Sequence, residues 1–216
     1  MDALRMVQPP SVQTSLTLLS RVGASDQAAW DTFTSLYGPL VYSWCRNAGL
    51  SPDDVDDAGQ EVFRTVAVKL ETFEPGRKSS GAFRSWLWGI TRLEILKHFR
   101  ARRHQPVGEG GTDNNLNMQR LASNAEEPEA MEGVPPQQLL LRSAIEILKS
   151  EFDPRTWQAF WDLAVKGRPA REIGEEIDMT PKAVRQAKYR VTKKLRDLLD
   201  DDFPDLIAQI PGVAGS

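Results

Sequence analysis

The chain has 216 residues, 40% hydrophobic and 26% charged, with a formal net charge of −3. That is enough apolar material for one or two small cores, and no apolar run approaches the roughly 20 residues needed to cross a bilayer, so a cytoplasmic protein without membrane insertion is expected. A single cysteine, Cys45, rules out an internal disulfide and reads as a small core residue, while His98 and His104 without companion cysteines make no plausible zinc site and read as DNA or solvent contacts in a basic stretch.

Residues 1–15, with Pro9 and Pro10, read as a flexible leader. Helical periodicity then runs from Leu16 to about Arg103, with breaks expected at Pro39, at the Gly49 to Pro52 turn and in the Glu74 to Gly81 loop. Ser51 and Pro52 start a helix whose first turns carry Asp53, Asp54, Asp56 and Asp57, carboxylates that a helix N-terminus favours. From Arg84 to His104 the chain holds Arg84, Arg92, Lys97, Arg100, Arg102 and Arg103 against one acid, Glu94. The mild net charge therefore averages over segregated basic and acidic segments. Trp86 and Trp88 lie two apart on a helix and cannot share a face; Trp86 is assigned to the core and Trp88 to base stacking.

Between residues 105 and 136 the sequence turns rich in glycine, asparagine, proline and glutamate, which marks an acidic, flexible linker. Apolar periodicity resumes at Gln137 through Leu140, Leu148, Trp157, Phe160 and Trp161 and continues to Asp202, leaving residues 203–216 as a tail. Within this block Asp178 and Met179 form a turn, Thr180 is a good N-cap and Pro181 stands at the first helical position. Val184, Ala187, Val191, Leu195 and Leu198 then make one apolar stripe, and no carboxylate intervenes between Thr180 and Arg196. Ile173 and Ile177 supply the preceding helix, Gly174 lets the pair approach closely, and a short polar Asp178 tolerates left-handed backbone. A helix, a tight turn and a strongly basic second helix suit the major groove of DNA. The fold expected is all-α: two small helical domains, 16–104 and 137–202, joined by the linker, the second containing a helix-turn-helix.

Asp57, Gln60, Glu61 and Phe63 in DDAGQEVFRTVAVKL, together with Phe83, Arg84, Trp86 and Leu87 in GAFRSWLWGITR, resemble the extracytoplasmic-function sigma factors of bacterial RNA polymerase. The first block is similar to sigma region 2 and the second to sigma region 4, with the linker where that family has one. The resemblance implies a protein that binds core RNA polymerase, recognises minus-ten and minus-thirty-five promoter elements and directs transcription initiation. Asp57, Gln60, Glu61 and Phe63 would dock on polymerase. Arg77, Lys78, Phe83, Arg84, Trp88, Arg92, Lys97, Arg100 and Arg103 would serve the minus-ten element, with the loop before Phe83 holding a flipped base. Thr180, Lys182, Arg185, Gln186, Lys188, Arg190 and Lys193 would serve the minus-thirty-five element. An anti-sigma factor wrapped between the domains is a further partner the family suggests.

Several positions depart from the family pattern. Leu93 stands where an asparagine is usual and Lys97 where aspartate is frequent; Asp178 replaces a turn glycine, Ala183 a threonine and Ala187 an arginine. A helix-turn-helix activator or repressor outside polymerase is the alternative function, though residues 16–103 offer no evident sensor pocket or dimer helix. No phosphate-binding glycine loop or second acid cluster completes an enzyme site, so catalysis, a cofactor, a metal and a small-molecule substrate are not expected.

Overall fold

The computed structural model describes residues 14–73, 82–103, 118, 119, 121, 126, 128 and 134–199. Among these, eight α-helices follow in order: α1 (Thr14–Gly23), α2 (Gln27–Asn47), α3 (Pro52–Lys69), α4 (Ala82–Arg103), α5 (Pro136–Glu151), α6 (Pro154–Phe160), α7 (Ala170–Ile177) and α8 (Pro181–Leu199). A 3-10 turn, Leu70–Thr72, extends α3, and a π turn, Trp161–Val165, extends α6. The all-α class expected from the periodicity is what the described residues adopt.

Local chemistry starts these helices. Asp26, Ser51, Asp153 and Thr180 each accept a hydrogen bond from the backbone N–H three residues on, at 3.1, 3.4, 2.9 and 3.2 Å. Caps of this kind contribute about 1 kcal/mol each. In three of the four a proline follows at the first helical position, Pro52, Pro154 or Pro181, where its missing N–H costs nothing. Pro39 does not break α2 as its position suggested. Ser35, whose carbonyl loses its helical donor, is exposed, so water can replace the bond.

Helix α2 is the hub, packing against α1, α3, α4 and α5. Its buried face carries Phe33, Leu36, Leu40, Trp44 and Cys45. Burial pushes the Cys45 thiol up to about 12, so it stays a protonated core group at neutral pH, in line with the sequence reading. Leu140, Ala144 and Leu148 of α5 and Val191, Leu195 and Leu199 of α8 belong to the same apolar cluster as Phe33 and Trp44. The two helical blocks thus share one continuous core. Most of the stretch read as linker lies outside the described residues, but Met118 and Leu121 within it pack against that core.

A smaller cluster, Ala159, Ile173, Val184 and Ala187, joins α6, α7 and α8. Its geometry depends on Gly174. A Cβ there would stand 2.3 Å from the Met179 carbonyl oxygen, while the Met179 N–H donates to the Gly174 carbonyl at 2.9 Å. Asp178 takes φ 52° and ψ 54°, the left-handed conformation that its short polar side chain permits. Gly174→Ala should therefore destabilise the protein by about 1–3 kcal/mol through overpacking against backbone that cannot rotate away. A urea unfolding midpoint unchanged by this substitution would contradict the close approach.

Candidate nucleic-acid and polymerase interface

Three surfaces gather the residues singled out by sequence. The first lies between α2 and α3, where a cleft of about 570 Å³ is lined by Trp30, Gly38, Val41 and Tyr42 on one side and Val55, Asp56, Gly59, Gln60, Phe63 and Arg64 on the other. Phe63 is half-buried, edge-on to Phe33 and Trp30 with ring centroids 6.0 and 6.4 Å apart, so it both closes the core and lines the cleft. Gln60 lines the same cleft, whereas Asp57 and Glu61 are exposed and absent from its lining; Glu61 pairs with Arg64. Sequence reasoning missed Trp30 and Tyr42. The available signal was an exposed tyrosine three helical turns from Trp30 on α2, with Gly38 on the same helix and Gly59 across the cleft on α3.

The second surface is α4, and here two aromatic assignments are corrected. Trp88 is only 2% exposed and packs on Trp44 at 5.4 Å, so it is a core residue and not available for stacking. Trp86 is instead the half-buried ring, lying against Phe73 and Phe83 at 5.1 and 5.4 Å. The periodicity allowed only one of the two tryptophans on the core face, and the choice was decided by which one faced Trp44. Phe83, assigned to DNA, is likewise buried, within an aromatic cluster with Phe33, Tyr37 and Phe73.

Among the α4 cations, Arg92 donates to the Leu121 carbonyl and Lys97 pairs with Glu94 at 2.8 Å. Glu94 also accepts from Thr65, which fixes α4 against α3. His98, read as a DNA or solvent contact, turns inward, with its Nε2 3.0 Å from Asp54 Oδ1. Arg84 is half-buried, and Leu93, Lys97 and Arg100 are exposed. Arg77 and Lys78 lie outside the described residues, as does the Arg103 side chain.

The third surface is α8. Lys182, Arg185, Gln186 and Lys193 are exposed, and Thr180 is exposed as the helix cap. Lys188 is half-buried, and Arg190 donates to Thr156 Oγ1 at 3.2 Å on the side facing α6. Thr156 in turn donates to Asp153, and its hydroxyl and amide hold the Asp153 carboxyl below the usual carboxylate range. Lys194 pairs with Glu151 of α5 at 3.3 Å. Among the described residues no carboxylate pairs with Lys182, Arg185, Lys188 or Lys193, so this face is left with uncompensated positive charge.

Two polar anchors brace the elements that precede α8, and sequence reasoning had assigned neither. Asp162, in the π turn, is 2% exposed and pairs with Lys166 at 2.7 Å and Arg168 at 3.0 Å; Arg168 bridges on to Glu176 of α7 at 2.6 Å. A carboxylate so buried is tolerable only because both cations meet it. Arg155 of α6 donates to the Ile177 carbonyl at 3.1 and 2.6 Å and also to the Asp178 carbonyl, satisfying acceptors freed where α7 ends. The turn ahead of α8 is thus held from both sides.

Residues 33–105, from within α2 to just past α4, match the family model described as Sigma-70 region 2. Over those residues, about a third of the chain, it is similar to sigma-70 region 2. No curated protein matches the chain. The matched segment contains α4 and all of the α2–α3 cleft lining except Trp30.

Trp88→Ala should cost about 3–5 kcal/mol of stability, as truncation of a buried tryptophan does, whereas Trp86→Ala should cost clearly less. Equal losses for the two in urea titrations would reverse the burial order found here.

Proposed function

We propose that this protein is a sigma factor of the extracytoplasmic-function type, which docks on core RNA polymerase through α2 and α3, engages a minus-ten element with α4 and its preceding loop, and reads a minus-thirty-five element with α8. The observation that carries the reading is the region 2 match at residues 33–105, followed downstream by a helix pair with an unpaired cationic face. Physically, the α2–α3 cleft offers an aromatic floor with exposed Asp57 and Glu61 nearby, which suits a partner helix that is apolar along one edge and basic along another. Catalysis in this scheme belongs to polymerase, and the chain contributes position.

The minus-ten role rests on α4 residues that stay exposed toward its C-terminal end, Lys97 and Arg100, and on the half-buried Arg84 near its start. Arg77 and Lys78 belong to the same reading through the loop that leads into α4. On α8, Arg185 and Gln186 are the side chains suited to paired hydrogen bonds with guanine and adenine, and Lys193 is suited to phosphate.

Co-purification with core RNA polymerase and promoter-directed transcription by the reconstituted pair test the reading. A protein that binds DNA but never core polymerase would instead be a helix-turn-helix regulator. Tyr42→Ala should weaken core binding about tenfold while leaving the fold intact, because the side chain lines the cleft and is 46% exposed. Arg185→Ala should relax discrimination at one promoter position, while Lys193→Ala should weaken binding evenly and reduce its salt dependence; a base-scanned promoter assay with identical profiles for the two would remove the division between reader and anchor.

A further inference from the structure

Helix α8 carries one large side chain that its fold does not use. Tyr189 is 63% exposed and takes part in none of the aromatic contacts among the described residues. The buried stripe of the helix is Val184, Ala187, Val191 and Leu195. At 100° per residue, Lys182, Gln186, Tyr189 and Lys193 fall on the opposite side, a row at spacings of four, three and four. Tyr189 therefore stands at the middle of the outward face, flanked by cations. Of its sequence neighbours, Lys188 is half-buried and Arg190 donates to Thr156.

An exposed aromatic ring in a cationic row is poor surface chemistry for a helix that faces only water. It suits a partner that is anionic at its rim and apolar at its floor. The major groove of duplex DNA has that character where a thymine presents its C5 methyl group between phosphate rows. We propose that Tyr189 is a specificity-determining residue that reads a thymine by apolar contact between its ring and the C5 methyl. The proposal rests on α8 being the duplex-facing helix. Along the helix axis Tyr189 lies about 6 Å beyond Arg185. At about 3.4 Å per base along a strand, the thymine falls roughly two base steps from the base that Arg185 contacts. The row opposite the core then divides its work: Gln186 and Tyr189 touch bases, and Lys182 and Lys193 hold the strands on either side.

The test uses the full chain, alone and with bacterial core RNA polymerase, to select duplexes from a pool randomised over twenty base pairs, an arbitrary window of about two helical turns. Four proteins are compared: the unaltered chain, Tyr189→Phe, Tyr189→Ala and Arg185→Ala. The expected result is a thymine preference that Tyr189→Ala loses and Tyr189→Phe keeps, about two positions from the preference lost in Arg185→Ala. In the selected duplex, replacing that thymine by uracil removes only the methyl group. It should weaken binding roughly fourfold for the unaltered chain and Tyr189→Phe, the worth of one buried methyl, and not at all for Tyr189→Ala. Enrichment of the same sequences by Tyr189→Ala, or a uracil substitution without effect, overturns the proposal. So does a preference lost in Tyr189→Phe, since that assigns the readout to the hydroxyl. If Arg185→Ala also enriches unchanged sequences, or if the unaltered chain enriches none, the duplex-reading role of α8 falls with it. Should Tyr189→Ala prove unstable, the uracil comparison in the unaltered chain and Tyr189→Phe still decides.

Discussion

Helix α2 must be apolar toward several neighbours at once, and the remaining architecture follows from that demand. A helix on a protein surface needs one apolar stripe, whereas one enclosed by neighbours needs more. Trp44 and Phe33 meet it with large rings: Trp44 takes Trp88 of α4, and Phe33 takes Phe63 of α3 and Phe83 of α4. Once α2 is clothed in this way, α3 and α4 have little freedom to rotate about their own axes. The faces they leave outward, the cleft on one side and the cationic end of α4 on the other, are set by core rings and not by the surface residues themselves. Functional placement in this domain is therefore a by-product of aromatic packing.

In the second block the same job is done with polar groups. Helices α6 and α7 are short, seven and eight residues, and bury few large side chains. The apolar stripe of α8, Val184, Ala187, Val191 and Leu195, supplies buried area, but apolar contact is non-directional. The buried Asp162 with its two cations, the Arg155 clamp on the end of α7 and the backbone contact at Gly174 supply directional constraints instead. Such constraints are weak evidence for stability, because desolvating Asp162 offsets much of the attraction. Their value is geometric: they tie α6, the π turn and the end of α7 together just ahead of α8.

Much of this was legible in the sequence. Ser51 with Pro52, Thr180 with Pro181, the Gly174 approach and the left-handed Asp178 are local matters, decided within a few residues, and each appears in the structure as expected. What failed was the choice between near-equivalent neighbours. Trp86 and Trp88 are both aromatic and two apart, so periodicity says that their faces differ but not which face meets α2. That answer comes from Trp44, some forty residues away in the chain. The internal partners of charged residues were hidden for the same reason. Arg92, Arg190 and His98 looked free because their partners, Leu121, Thr156 and Asp54, are remote in sequence. Asp162 gave no hint of burial, since a carboxylate in a periodic helix is ordinarily a solvated one.

The correction to the charge map sharpens the functional picture. Counting every lysine and arginine of α8 suggests a diffuse electrostatic surface, useful for any polyanion. Removing those tied into the scaffold, Arg190 and Lys194, and the half-buried Lys188, leaves a narrow row opposite the core with Arg185 at its edge. A narrow row fits a groove, whereas a broad one fits only a backbone. The internal contacts thus act twice: they tie α8 to α5 and α6, and they hold Arg190 and Lys194 toward those helices, leaving Lys182 and Lys193 on the outward row that the proposed reading brings to the groove.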